Sequence, residues 1–346
     1  MLKRLILTCL LLAPALTQIR ANEECDTLSD KRVTMYISDR PAIIESDRIV
    51  TPPSLRPGDM IAIVTPASAA PGYDYSGMVR IIESMGYNAY VAPHARGRSG
   101  SYSGTKSQRL SDLSEALTNP EVRAIICTRG GYGAIHLLDD LDELPLADDP
   151  KWIVGFSDIS ALHALMQRHG IASLHAPMGC NLKYHSGELS PSVKAMFAML
   201  EGKHATYEIN HNSLNRNGET MGTLVGGNLA VLDGLISTRF DVIRPNTILF
   251  IEDVAEPVYK IERQLYRLKL SGVLENLAGL IVGDFTETHG DENYRAMEIM
   301  IRDMVKDYDY PVAFGVPAGH ARVNIPLILG APVMLEVSDE GTTITQ

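Results

Sequence analysis

Ser157 follows the apolar run Trp152-Ile153-Val154-Gly155-Phe156 and is succeeded by Asp158, Ile159 and a helical pattern. A serine at the carboxyl end of a buried strand can hold its Oγ above the sheet, where the next helix aims unpaired N–H groups and the positive end of its dipole. That position suits a nucleophile, although Ser-Asp at a helix start also serves as an ordinary cap. A nucleophilic hydroxyl needs a base, a carboxylate to orient the base, and donors for the developing oxyanion. Three other strand ends carry such groups. In Thr128-Arg129-Gly130-Gly131-Tyr132-Gly133, glycines let N–H groups at Gly130 or Gly131 approach a ligand closely, though a tight turn alone also explains them. Leu249-Phe250-Ile251 ends in Glu252-Asp253, and Phe314-Gly315-Val316-Pro317-Ala318-Gly319 ends in His320. Alternate strand residues face opposite sides, so one of the two acids faces any site there, and the pattern alone does not say which.

Other chemistries fit poorly. The G-x-G-x-x-G spacing of dinucleotide binding fails because His136 occupies the third glycine position. No H-E-x-x-H or paired-cysteine motif occurs, and Asp139-Asp140-Asp142-Glu143 lacks the alternation and glycine of an EF-hand, so neither metal nor cofactor is expected. Cys127 lies in an apolar run and reads as buried filler.

The elements that must position these residues alternate. Expected strands at 60–65, 87–91, 123–128 and 151–156 interleave with helices at 73–85, 107–117, 134–138 and 159–169, which predicts a parallel sheet covered on both faces. Ligands of such sheets bind at the carboxyl ends of the strands. A second α/β region has expected strands at 223–225, 247–251, 279–282, 312–314 and 333–337 and helices at 229–236, 259–270 and 294–305. The domain organisation expected is a signal peptide over 1–21, an irregular extension over 22–52, a nucleophile domain over 53–190, a linker over 191–220 and a C-terminal α/β domain over 221–346.

Met1-Leu2-Lys3-Arg4 before the apolar run Leu5 to Leu16 reads as a cleaved export signal, too short for a comfortable span. Losing Lys3, Arg4 and Arg20 takes the net charge from −11 to −14. Such acidity argues against nucleic acid or anionic membrane as partners. Cleavage leaves Cys25, Cys127 and Cys180, an odd number and no disulfide framework.

Six collinear segments together resemble one family: Thr128 to Gly133, Gly155-Phe156-Ser157-Asp158, Gly222-Thr223-Leu224-Val225-Gly226-Gly227-Asn228-Leu229, Phe250-Ile251-Glu252-Asp253, Tyr259-Lys260-Ile261-Glu262-Arg263-Gln264-Leu265 and Gly319-His320. From about Leu55 onward the chain is similar to the LD-carboxypeptidases, serine peptidases of the muramoyltetrapeptide carboxypeptidase type. The resemblance implies a Rossmann-like, glutaminase-like nucleophile domain and a C-terminal α/β domain, with Ser157 as nucleophile, Glu252 as orienting acid and His320 as base. It implies oxyanion donation from the N–H of Asp158 and of Gly131 or its neighbour, and a homodimer. It implies cleavage between the L-centre of a diamino acid and the terminal D-Ala of a peptidoglycan tetrapeptide or muropeptide. A fixed cation for the free carboxylate is then expected at Arg129 or Arg322, either of which could instead pair with an acid.

Two departures stand beside it. Ile159 replaces the last glycine of the G-x-S-x-G elbow, which argues against an α/β-hydrolase. Family members are usually cytoplasmic, whereas the export signal predicts a periplasmic protein. The microcin-immunity branch, which cleaves a peptidyl-nucleotide amide, is an alternative within the family. A periplasmic solute-binding protein without a nucleophile is the alternative outside it, with a nicotinamide oxidoreductase a distant third.

Overall fold

The structure is a computed structural model that describes residues 17–20, 32–38, 49–286 and 294–346. Its strands are β1 Thr17–Arg20, β2 Val33–Ser38, β3 Met60–Val64, β4 Asn88–Val91, β5 Val122–Cys127, β6 Trp152–Gly155, β7 Ser173–His175, β8 Tyr184–His185, β9 Glu188–Leu189, β10 His204–Asn210, β11 Gly218–Asn228, β12 Thr247–Val254, β13 Gly279–Thr286, β14 Val312–Ala313, β15 Leu327–Leu329, β16 Pro332–Val337 and β17 Gly341–Thr345. The helices are α1 Tyr75–Ser84, α2 Lys106–Thr118, α3 Leu138–Leu141, α4 Ser160–Arg168, α5 Pro191–Leu200, α6 Leu229–Asp233, α7 Val258–Leu270 and α8 Tyr294–Met304.

The apolar runs of the first half become the expected parallel sheet. Its order is β15-β7-β6-β5-β3-β4, with β15 antiparallel on β7 and the other neighbours parallel. Ile61, Ile63, Ile125, Ile126, Ile153 and Val154 are fully buried, as strands covered on both faces must be. The second sheet is mixed: antiparallel from β1 through β2, β10, β17 and β16 to β11, then parallel through β12, β13 and β14. Each sheet takes an edge from the other half of the chain: β15 closes the first sheet, and β1 with β2 forms one edge of the second. One apolar core accordingly runs through both, including Ile61, Ile153, Phe250 and Ile344.

Two expectations need correction. The extension over 22–52 is not wholly irregular, since Val33–Ser38 alternates buried and half-buried residues and pairs with β10. The stretch expected as a polar linker broken by one helix has that helix as α5, capped by Ser190 and buried through Val193, Met196, Phe197 and Leu200, and adds the strand β10. Both β2 and β10 put polar residues on alternate positions, so their pattern reads as a polar stretch. Of the expected signal peptide, residues 1–16 and 21 lie outside the described residues, as does Cys25, while Thr17–Arg20 pairs with β2. Among the described residues no helix is long and apolar enough to cross a membrane.

Candidate active site

Ser157 begins a 3₁₀ turn, Ser157–Ile159, that runs into α4 beyond the end of β6. Its φ is 65°, a left-handed conformation that costs a non-glycine residue about 1 kcal/mol or more. Strain of this kind holds a side chain clear of the sheet. The missing glycine at Ile159 is compensated from the strand: a Cβ on Gly155 would lie 2.9 Å from the Ile159 side chain. Helix and strand therefore approach closely with the small residue on the other side of the contact, and the backbone keeps the form of an elbow.

His320 reaches this serine from the second half of the chain. Its Nε2 is 3.0 Å from Ser157 Oγ and its Nδ1 2.6 Å from Glu252 Oε2. Because the carboxylate only accepts, Nδ1 carries the proton and the Nε2 lone pair faces the serine hydroxyl. Glu252 is fully buried near the end of β12, and its Oε1 has no partner among the described residues. Gly319 has φ 118°, and a Cβ there would fall 2.6 Å from Glu252 Oε2, so only glycine lets the His320 turn close over the acid. The ring edge of His320 rests on Phe156, 4.9 Å between centroids. Burial disfavours a charged imidazole here, but the hydrogen bond and charge of Glu252, with the charge of Asp253, outweigh it and hold the His320 pKa above its ordinary value.

The glycine turn lies against the serine. A Cβ on Gly130 would sit 2.8 Å from Ser157 Oγ and 3.1 Å from Asp158 N. No acceptor among the described residues takes the N–H of Asp158 or of Gly131, so both expected oxyanion donors are uncommitted, and the turn that carries the second lies against the serine. The Asp158 carboxylate is turned inward, where it accepts from Ala134 N at 2.8 Å, and burial raises its pKa. Glu252 and Asp253 do face opposite ways: Asp253 accepts from Asn228 Nδ2 at 3.0 Å and Ala230 N at 2.9 Å, away from His320.

Arg129 and Arg322 differ. Arg129 Nη1 donates to Ala69 O at 3.1 Å and its guanidinium lies over Tyr73, so it braces the wall of the site. Arg322 is exposed two residues past His320 and pairs with no acid among the described residues. Other histidines and acids have structural duties. Buried His163 bonds Gly155 O and Ser173 Oγ, both at 2.9 Å, and His169 bonds Asp142. The acidic cluster is spent on ion pairs with Arg168, Arg239 and Lys106. Cys127 is buried, which pushes its thiol pKa well up.

Sequence reasoning missed Ser68 and Arg109. Ser68 Oγ accepts from Tyr132 N at 3.1 Å, and a Cβ on Gly131 would fall 2.3 Å from it, so this serine shapes the glycine turn. Arg109, buried on α2, ties Pro66 O to Gly133 O from behind. A hydroxyl just past strand β3 was the available signal for Ser68. An arginine in a polar helical pattern gave none for Arg109.

Comparison with known proteins matches this architecture. Residues 61–176 match the model of the LD-carboxypeptidase N-terminal domain and residues 221–335 that of the C-terminal domain. The murein tetrapeptide carboxypeptidase of Pseudomonas aeruginosa is 30% identical over 285 residues, covering 80% of this chain and 92% of that protein. The crystal structure of muramoyltetrapeptide carboxypeptidase from Oxalobacter formigenes superposes with a TM-score of 0.72 at 27% identity, covering 83% of this chain and 98% of that one. Microcin C7 self immunity protein MccF, in complex with aspartyl sulfamoyl adenosine, shares the fold, with a TM-score of 0.74 at 21% identity over 86% of this chain and 98% of that one. With both domain models matched in order and a relative covered over nearly its full length, this chain belongs to the LD-carboxypeptidase family.

Proposed function

We propose that this protein is a serine-type L,D-carboxypeptidase that removes the terminal D-Ala of peptidoglycan tetrapeptides through an acyl-enzyme. The observation that carries the reading is the line from Ser157 Oγ through the His320 ring to Glu252, with contacts of 3.0 and 2.6 Å. His320 Nε2 takes the serine proton as Oγ bonds to the scissile carbonyl carbon. The oxyanion that forms faces the N–H groups of Asp158 and Gly131, each donor worth about 3 kcal/mol in such sites. The proton on Nε2 then passes to the D-Ala nitrogen, the C–N bond breaks, and free D-Ala leaves an ester on Ser157. Water attacks the ester, His320 takes its proton and returns it to Oγ, and the shortened peptide departs. Throughout, Glu252 holds the Nδ1–H tautomer and offsets the charge on the imidazolium.

The substrate class rests on the murein tetrapeptide named for the Pseudomonas relative. The stem peptide carries several carboxylates, and a locally basic cleft suits it. Tyr73, which the Arg129 guanidinium overlies, borders a cleft of about 370 Å³ where Arg80 and Lys183 outnumber the one acid, Asp74, which pairs with Arg80. Arg322 is the group we assign to the terminal carboxylate. The N-terminal basic and apolar run supports an exported, periplasmic enzyme that meets wall stems or released muropeptides.

Disaccharide tripeptide, tetrapeptide and pentapeptide incubated with the protein and followed by mass test this directly. Only the tetrapeptide is expected to lose alanine, and Ser157→Ala is expected to lower kcat by roughly 10⁴-fold or more. Loss from pentapeptide instead gives D,D-specificity and overturns the substrate. Faster cleavage of a peptidyl-nucleotide amide moves the protein to the microcin-immunity branch, and binding without turnover makes it a solute-binding protein.

A further inference from the structure

A second polar thread runs beside the triad and joins the same two parts of the chain. Ser160, one helical turn after Ser157, is fully buried, and its Oγ accepts from the backbone N–H of Asn228 at 2.9 Å. The Asn228 side chain donates through Nδ2 to Asp253 Oδ1 at 3.0 Å and accepts through Oδ1 from Val231 N at 3.2 Å. Asp253 also accepts from Ala230 N at 2.9 Å and Val254 N at 2.8 Å. In the β11–β12 ladder, Asn228 stands opposite Glu252 itself.

The fit at this contact is close. Gly227 has φ 131°, and a Cβ on it would lie 2.4 Å from Ser160 Oγ, so the end of β11 presses directly on the segment that carries Ser157. Asn228 and Asp253 are both almost fully buried, which makes each hydrogen bond costly to lose and sharply directional. We propose that Ser160, Asn228 and Asp253 form a positioning strut that fixes the spacing between the Ser157 turn and the Glu252–His320 pair. The triad's own bonds cannot do this, because the bond from His320 to Ser157 must break and reform in every turnover. The strut takes no part in proton transfer and remains made throughout. It rests on the serine-peptidase reading above and adds to it the element that holds its two halves in register.

The test compares tetrapeptide turnover with the rate at which a fluorophosphonate, a serine-directed acylating probe, labels Ser157 in the full-length protein. In Ser160→Ala and Asn228→Ala, kcat and the labelling rate of folded protein are expected to fall together, by about 10- to 100-fold, with KM within about threefold of wild type. Asn228→Asp sets two carboxylates face to face and is expected to fall at least as far. The exchange Asn228→Asp/Asp253→Asn restores an amide-to-carboxylate bond across the gap and should recover both rates to within about threefold of wild type. Melting curves give the folded fraction, and Ser160→Ala, which removes a single oxygen, decides the matter where the Asn228 variants do not fold. A melting temperature that drops while labelling of the folded fraction stays at the wild-type rate reduces the thread to ordinary packing and overturns the strut. An exchange variant no better than Asn228→Asp overturns it too. Failure of the serine-peptidase reading looks different, since wild type then takes no label and Ser157→Ala hydrolyses normally.

Discussion

Ser157 and His320 each sit in a turn beyond a strand, but the left-handed residue is Ser157 itself in one, at φ 65°, and the neighbouring Gly319 in the other, at 118°. On the side of the proposed nucleophile the strained residue is the one assigned to react, and Gly130 and Gly155 make room around it. On the base side the reactive residue is relaxed and a glycine next to it takes the conformation, pressed onto Glu252. Under the proposed mechanism, function and conformational cost therefore coincide at Ser157 and are separated at His320. The two turns should respond in opposite ways to substitution.

The largest expected effect breaks that pair apart. Ser157→Gly removes the nucleophile and the conformational penalty together, so activity should fall by roughly 10⁴-fold or more while stability holds or rises by up to about 1 kcal/mol. Gly319→Ala places a methyl group 2.6 Å from Glu252 Oε2 at a φ that disfavours it. Activity should fall by about 100-fold or more and stability by about 2 kcal/mol, with the triad residues all present. Denaturant midpoints measured beside kcat check both. A destabilised Ser157→Gly would show that the turn is not strained.

How far the sequence revealed this depends on the element. Buried parallel strands announce themselves by continuous apolar runs, so β3, β5, β6, β12 and β13 were legible. The half-exposed strands β2, β10 and β17 were not, because alternate polar residues dilute the signal. Strand β15, only three residues long, belongs to the sheet of the other half of the chain and could be found only by its partner. Ser157, Glu252 and His320 were named through the family pattern, and the choice of Glu252 over Asp253 came from that pattern and not from periodicity. Geometry explains the choice: the strand turns Glu252 to His320 and Asp253 to Asn228. The expectation from Ile159, that the chain is not an α/β-hydrolase, holds, since both halves match LD-carboxypeptidase domains; the tight strand–helix contact at Ile159 is met by Gly155.

A second prediction sharpens the base side. His320 must be neutral to accept the Ser157 proton, and its pKa is held above the ordinary value chiefly by Glu252 against the opposing effect of burial. Hydrolysis in kcat/KM should fall as pH drops through that raised pKa. Glu252→Gln removes the charge, so burial then prevails, and the acid limb should move toward lower pH, alongside a lower maximum rate. A limb that stays in place in the variant would assign the titration to another group.

The smallest effect concerns the braces behind the two turns. Gly155, two residues before Ser157, is held by His163, whose Nε2–H donates to its carbonyl oxygen, while Gly319 is held by Asn324, whose Oδ1 accepts its N–H at 2.9 Å. Only the first brace titrates. Complete burial pushes the His163 pKa down to about 4, so the folded protein keeps this ring neutral where an unfolded chain, with a pKa near 6.5, binds a proton. Stability should therefore be undiminished above about pH 6.5 and decline as pH falls from there toward 4, by a total on the order of 3 kcal/mol for this one group. His175, buried against Phe250 and Phe156 with its pKa also well lowered, adds to the same slope. Urea midpoints at pH 7 and pH 5 should differ clearly in wild type and less in His163→Gln, which can still donate to Gly155 O but does not titrate. His163 lies behind Ser157, whereas His175 faces Asn324, the brace of Gly319, so the part of the loss that His163→Gln removes should appear as faster amide exchange around β6 and α4 at mildly acid pH. A His163→Gln substitution that protects the Gly319 turn and the Ser157 turn equally would remove the asymmetry.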